Sequence, residues 1–350
     1  MVKSVKQKNQ FKKFKGPVTV AVIGAGAVGK EMVRILQQRK FPMKELRVLA
    51  RSARKLEIDG REYEVKETKP ESFEGVQIAL FAGTEGEKGA AVTFGPEAIK
   101  RGAVVIDNGA DFRMDPKVPL VIPEINGEDV SWHSGIIANP NCTTAVLLMA
   151  LAPIYKKFGV KRAIVSTYQA VSGAGAKGVA DLMSQAEEYL DQGKVSDFGI
   201  FPDRIAFNLL ANNWKIEEEG YSNEEWKVIQ ETQKILRDKS IQVIPTTVRV
   251  PVFNAHAESI YLETKKAVSL EEARTALSQF PGVLVVDEKT PLNGKSCPMP
   301  MYASGKDEIL VGRIRKDLNN PKALLLWATG DNLRKGAALN AVQIAECLIA

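Results

Sequence analysis

Between Gly16 and Arg39 the chain reads GPVTVAVIGAGAVGKEMVRILQQR: a β-rich apolar run, a glycine cluster, then Val28, Met32, Ile35 and Leu36 at helical spacing. That pattern predicts strand, tight turn and helix. ELRVLAR, VQIALFAG and AVVIDNG read as further strands, with AAVTFGPEAIKRG between the last two as a helix. Strands alternating with helices predict a doubly wound parallel sheet.

From Cys142 the pattern changes. A long apolar helix leads to a strand, KRAIVSTYQAV, a Gly-rich turn, SGAGAKG, and a helix over residues 179–190. IQVIPTTVRVPVF, HAESIYLET, GVLVVDE, DEILVGRIRKD and ALLLWATGD then alternate as strands do, which suits a mixed sheet with helices on one face. NLRKGAALNAVQIAECLIA is helical and is expected to return to the first domain. The predicted fold class is therefore α/β: a Rossmann-like doubly wound sheet plus an α+β catalytic and dimerisation domain with a mixed sheet. The expected division is a basic flexible tail over 1–16, a nucleotide domain over 17–141 plus 329–350, and a catalytic domain over 142–328.

Composition narrows the class without choosing a reaction. At 350 residues, 45% apolar and 26% charged, the chain has enough material for two globular cores. No apolar run is long enough to cross a membrane, and the basic start lacks a secretion signal's apolar stretch, so a cytoplasmic protein without membrane partners is expected. Three scattered cysteines and two histidines argue against a disulfide framework and a Cys/His metal site. The net charge of +6 owes much to Lys3, Lys6, Lys8, Lys12, Lys13 and Lys15, a run that does not by itself specify nucleic acid.

Gly24, Gly26 and Gly29 form G-x-G-x-x-G between strand and helix, enclosing Ala27 and Val28. Such glycines permit a tight turn and backbone approach to a pyrophosphate at the helix N-terminus. The second strand ends not in an acid but in Arg51 and Ser52, which favours the 2′-phosphate of NADP over the free hydroxyl of NAD.

Cys142 opens a helix, where the positive dipole end stabilises a thiolate. Arg249, flanked by valines, needs an anion if buried. His256 sits between two alanines that leave it little cover; taken alone it reads as structural as readily as catalytic.

Four segments, ANPNCTTAVLLMAL, STYQAVSGAGAKG, RVPVFNAHAES and GDNLRKGAALNAVQIAE, resemble in that order the motifs of bacterial aspartate-β-semialdehyde dehydrogenase. The resemblance runs from Val18 to the C-terminus. It implies that Cys142 is the acyl-accepting nucleophile, His256 the general acid/base, and Gln169 a positioning glutamine. It implies that Arg249 pairs with the substrate α-carboxylate, Glu224 lies near the substrate amine, and Arg113, Asn141 and Lys227 meet phosphate. It also puts the nicotinamide of NADP near Ser172, Gly173 and Asn332.

The implied activity is NADPH-dependent conversion of L-aspartyl-4-phosphate to L-aspartate 4-semialdehyde and phosphate, in the biosynthesis of lysine, threonine, methionine and isoleucine. Backbone N–H groups at the helix start are expected to help hold the reacting oxygen. A homodimer or homotetramer assembled through the second sheet is implied too. His133, Cys297 and Cys347 match no role.

This chain departs from the family pattern in three places. Its glycine loop is one residue shorter and lacks a threonine, LFAGTEGEKGA replaces a Gly/Ser-rich cofactor loop, and alanines flank His256. A glyceraldehyde-3-phosphate dehydrogenase-like enzyme would carry its histidine a few tens of residues after the cysteine, where this chain has Gln169. An N-acetyl-glutamyl-phosphate reductase-like enzyme would resemble P-G-C at the cysteine. A non-catalytic NADP-binding homologue would have no need of a thiol and histidine together.

Overall fold

The structure, a computed structural model, describes residues 13–83 and 89–350 and divides into two compact units. Most of the basic tail, and TEGEK within the departing cofactor loop, lie outside the described residues.

The first unit comprises residues 1–140 and 338–350. Its strands are β1 (Val18–Ile23), β2 (Met43–Ala50), β3 (Arg54–Ile58), β4 (Arg61–Glu67), β5 (Ile78–Phe81), β6 (Val104–Asp107) and β7 (Ile136–Ala138). They lie in the order β3-β4-β2-β1-β5-β6-β7, parallel throughout except for the β3–β4 hairpin. Every residue of β1 is buried, as a parallel strand covered on both faces requires. Val18, Val20 and Val22 pack with Met32, Ile35 and Leu36 of helix Ala27–Gln38, and with the C-terminal helix Leu339–Cys347. Ala21 and Ile23 face the opposite layer, with Phe73, Phe81 and Ala98.

Two expectations change here. Phe14, assigned to the flexible tail, forms a parallel bridge with Ile349: its N–H donates to Leu348 O at 2.8 Å and its carbonyl accepts from Ala350 N at 2.9 Å. Its ring joins the apolar cluster under the C-terminal helix, which gives this one aromatic a reason to leave solvent. The β3–β4 hairpin was not expected, although Asp59-Gly60 between alternating Leu56, Ile58, Tyr63 and Val65 is a strong turn signal.

The second unit, residues 141–337, carries β8 (Val160–Tyr168), β9 (Gln242–Thr246), β10 (His256–Thr264), β11 (Val283–Val285), β12 (Ile309–Lys316) and β13 (Ala323–Gly330). Their order is β11-β12-β13-β10-β8-β9, a mixed sheet. Residues 329–337, expected in the first unit, belong here because β13 runs to Gly330 inside this sheet. Helix Cys142–Phe158, apolar almost all round, covers one face of the sheet. On the other, Ile164 and Ile244 are 40% and 39% exposed, alongside half-buried Tyr168, Tyr261 and Trp327. The expected long strand from Ile241 stops at Thr246. Beyond it Arg249 makes only isolated bridges, to Gln169 and Leu210, and Pro251 lacks the N–H that a continuing ladder would use.

Candidate active site

In the second unit Asn141 caps the helix that Cys142 opens. Its Oδ1 accepts from the N–H groups of Thr143 and Thr144 at 2.9 and 3.3 Å. The neighbouring helix Asn223–Leu236 holds the same asparagine twice. Asn141 Nδ2 donates to Glu224 Oε1 at 2.9 Å, and the Asn141 backbone N–H donates to Glu231 Oε2 at 2.7 Å. Glu231 was missed in the sequence; seven residues from Glu224, it is on the same helical face, and that spacing was the available signal.

His256, the first residue of β10, is fully buried with Nε2 3.3 Å from Cys142 Sγ. Ala170 N–H donates to its Nδ1 at 3.0 Å. Burial, then the charge of Arg249, holds its pKa well below the usual histidine value. The preceding Ala255 has φ 71°, a left-handed conformation that an L side chain resists. Asn332 Oδ1 holds it by accepting from Ala255 N–H, and also accepts from Ser172 Oγ, both at 3.0 Å.

Gln169, just past β8, donates from Nε2 to Glu224 Oε1 at 3.2 Å and accepts from Thr167 Oγ1 at 3.0 Å. Glu224 thus joins the glutamine to the helix cap, and Lys227 Nζ is 3.6 Å from its other oxygen. Arg249 is 4% exposed; Nη1 donates to Ala170 O at 2.6 Å and the guanidinium lies 4.9 Å from the Trp214 ring centre. Its Nε has no hydrogen-bond partner, and among the described residues no carboxylate is within ion-pairing distance. Burial lowers its pKa while the charges of Glu224 and Cys142 oppose that shift. A buried guanidinium with an open donor is a receptor for a carboxylate.

Two glycines shape this site by what they lack. A Cβ on Gly173 would sit 2.8 Å from Arg249 Nη1 and 3.3 Å from His256 Cε1. One on Gly336, in the π-turn Arg334–Ala338, would sit 2.8 Å from Cys142 Cβ. Gly336 was not singled out in the sequence. Two residues along β10 on the His256 face, Glu258 is also fully buried, with no hydrogen-bond partner at either oxygen. Burial raises its pKa well above the usual carboxylate range.

The nucleotide features lie in the first unit. Gly24 has φ 109°, and a Cβ on Gly29 would fall 1.7 Å from Gly24 O, so the turn closes only with glycine there. Helix Ala27–Gln38 starts at Gly26 without a side-chain cap, which leaves its first N–H groups, at Ala27 and Val28, for an anion. A cavity of about 310 Å³ adjoins the turn, lined by Gly24, Arg51, Glu67, Thr68, Thr93 and Phe94. Arg51 and Ser52 are exposed at the end of β2. Arg113 is buried in this unit too, where Nε donates to Asn139 O at 2.9 Å and Nη2 to Asn108 O at 2.7 Å.

Comparison with known proteins now separates the enzymes that this geometry fits. Residues 19–133 match the family described as "Semialdehyde dehydrogenase, NAD binding domain", and residues 151–335 match "Semialdehyde dehydrogenase, dimerisation domain". The aspartate-semialdehyde dehydrogenase of Aquifex aeolicus is 49% identical over 94% of this chain and 97% of its own. The chain belongs to the aspartate-semialdehyde dehydrogenase family. The Bacillus subtilis member is 46% identical over 94% of this chain and 96% of its own. The crystal structure of aspartate semialdehyde dehydrogenase II from Vibrio cholerae complexed with ASA superimposes with a TM-score of 0.89 at 41% identity, covering 95% of this chain and 98% of that one. In aspartate-semialdehyde dehydrogenase terms, the cysteine, histidine, glutamine and arginine motifs read from the sequence meet within one unit. Among the described residues no helix is long and apolar enough to cross a membrane, and no cluster of metal-ligating side chains occurs.

Proposed function

We propose that the protein reduces L-aspartyl-4-phosphate to L-aspartate 4-semialdehyde and phosphate, in the cytoplasm, through a thioacyl intermediate on Cys142. The observation that carries this is the Cys142–His256 contact of 3.3 Å beside the open donor of buried Arg249. Arg249 takes the substrate α-carboxylate, and Glu224, already an acceptor for Asn141 and Gln169, faces the α-ammonium. Gln169, held at both ends of its amide, orients the acyl group against the sulfur. Lys227, Asn141 and Arg113 receive the phosphate.

NADPH, when bound, supplies the hydride. Its pyrophosphate fits the uncapped helix start beside Gly24, Gly26 and Gly29, and its adenosine fits the adjoining cavity. Arg51 and Ser52 read the 2′-phosphate, and Ser172, Gly173 and Asn332 bound the nicotinamide. The partly exposed face of the second sheet, with Ile164, Tyr168, Ile244, Tyr261 and Trp327, pairs with a second copy to form a homodimer. That reading is supported by the description of the family matched there.

The test is phosphate-dependent NADPH formation from L-aspartate 4-semialdehyde, run beside NAD and beside glyceraldehyde 3-phosphate. Activity confined to the aspartyl aldehyde with NADP is expected. Intact NADPH binding without turnover would instead identify a non-catalytic binder.

A further inference from the structure

One serine of the proposed nicotinamide wall is held from several sides. Ser172 N–H donates to Phe253 O at 3.1 Å, and Ser172 Oγ lies 3.0 Å from both Asn254 Oδ1 and Asn332 Oδ1. Neither amide is free to turn over. The Ala255 N–H at 3.0 Å keeps Asn332 Oδ1 as an acceptor, while Asn254 Nδ2 donates to Asp331 Oδ2 at 2.8 Å and to Ser304 Oγ at 2.9 Å. A carboxylate can only accept, so Asp331 fixes which end of the Asn254 amide faces the serine. Both amide orientations are assigned from these partners.

The Ser172 hydroxyl therefore has one proton and two fixed acceptors for it. What remains on its oxygen for a ligand is lone pairs, which suit a donor such as the N–H of a primary carboxamide.

Asp331 is 2% exposed and gathers the surrounding loops. Its Oδ1 accepts from the N–H groups of Leu333 and Arg334 at 2.9 and 3.1 Å, and its Oδ2 accepts from Gly305 N–H at 2.7 Å as well as from Asn254. Its carbonyl oxygen accepts from Gly336 N–H at 3.2 Å, in the turn that passes beside Cys142. A buried polar network with its donors and acceptors matched in this way is rigid. It also begins just past β13, which ends at Gly330, so none of these bonds belongs to the sheet.

Resting on the nicotinamide placement proposed above, we propose that Asn254 and Asp331 are positioning residues for the cofactor. Asp331 orients Asn254, Asn254 claims the Ser172 hydroxyl proton, and Ser172 presents an acceptor to the nicotinamide carboxamide. Both act through Ser172 and Asn332. Hydride transfer needs its donor carbon within a narrow range of positions, so a wall set by a rigid network serves the reaction directly.

The test is calorimetric titration of the full-length protein with two probes: NADPH, and 2′-phospho-ADP-ribose, which is the cofactor without its nicotinamide. Asn254→Ala should weaken NADPH binding by about 10-fold, the order of one or two lost hydrogen bonds, and leave the nicotinamide-free probe within about 2-fold. Equal losses for the two probes, or no loss for NADPH, would overturn the proposal, because an asparagine that only supports the fold moves both or neither.

A second arm reverses the polarity of the Asn254–Asp331 bond. Asp331→Asn sets two N–H groups against each other and should weaken NADPH at least as much as Asn254→Ala. Combining it with Asn254→Asp exchanges donor and acceptor and keeps an acceptor toward Ser172, so the double variant should bind NADPH at least about 3-fold tighter than Asp331→Asn alone. Absence of recovery would remove Asp331 from the proposal; if Asp331→Asn does not fold, Asn254→Ala decides alone. Ser172→Ala and Asn332→Ala test the placement itself. A loss selective for NADPH in those variants without one in Asn254→Ala sinks this inference only, whereas no loss in either takes the nicotinamide away from this wall and the inference with it.

Discussion

The glycine turn of the first unit and the cysteine site of the second solve opposite problems. The turn is made of backbone: Gly24 and Gly29 let a strand and a helix meet, and the groups it leaves uncapped are helix N–H donors that need no particular side chain. The cysteine site is made of side chains from four separate segments, each held by another. Asn141 is held by Glu224 and Glu231, Gln169 by Glu224 and Thr167, and His256 by Ala170. The first kind of site tolerates change in neighbouring side chains but not an added methyl. The second loses its function with single polar groups while its backbone stands.

The largest expected effect separates the two regions. Cys142→Ser should lower kcat by about 10³-fold or more, because a hydroxyl is a far weaker nucleophile at neutral pH, while NADPH still binds. Steady-state rates and fluorescence titration of NADPH check both halves, and near-normal turnover would remove Cys142 from its role. Gly29→Ala is the converse. Its Cβ would overlap Gly24 O, so NADPH affinity should fall by about 100-fold or more, the cost of a main-chain clash of a few kcal/mol. Iodoacetamide should still label Cys142 in that variant; unaltered cofactor affinity would break the comparison.

Arg249→Lys probes the side-chain site more gently. An ammonium cannot reproduce the guanidinium fork, so KM for the aspartyl substrate should rise by about 10-fold to 100-fold with a smaller change in kcat. A change confined to kcat would move Arg249 from recognition to chemistry.

The smallest effect concerns Glu258, whose folded pKa is raised by burial above its unfolded value. Below the unfolded pKa the carboxyl is neutral in both states. As pH rises from there through the folded pKa, the unfolded chain gains stability by releasing the proton, and the fold loses the same amount. Glu258→Gln cannot ionise, so it should be more stable than the natural chain at pH 8, by about 1 to 3 kcal/mol, the scale of a buried unsatisfied group. That advantage should shrink as pH falls toward about 4.3. Urea unfolding at both pH values measures it, and an advantage independent of pH would mean that Glu258 is not the titrating group.

Legibility in the sequence follows the same division. Gly24, Gly26 and Gly29 were readable because their task is local: the turn, the strand before it and the helix after it are contiguous. Cys142 was readable as a thiol at a helix start, but the role proposed for it came only with the family resemblance, since His256 stands 114 positions away. Glu231 and Gly336 escaped because neither belongs to a recognisable local pattern. Each matters through one contact, with Asn141 N–H and with Cys142 Cβ, that folding alone creates. The strand expected through Arg249 failed for a related reason: alternation recorded burial, and burial there serves a guanidinium beneath irregular backbone rather than a ladder.

By itself the sequence determined most of the element pattern, the glycine turn and the family, because periodicity, glycine geometry and motif order are local or one-dimensional properties. Only the tertiary structure decided which nitrogen of His256 faces the sulfur, that the Thr143 and Thr144 N–H groups at the helix start donate to Asn141, and that Glu258 is a buried acid. Protonation, tautomer and donor supply depend on partners distant in the chain and on exclusion of water, and neither exists before the chain folds.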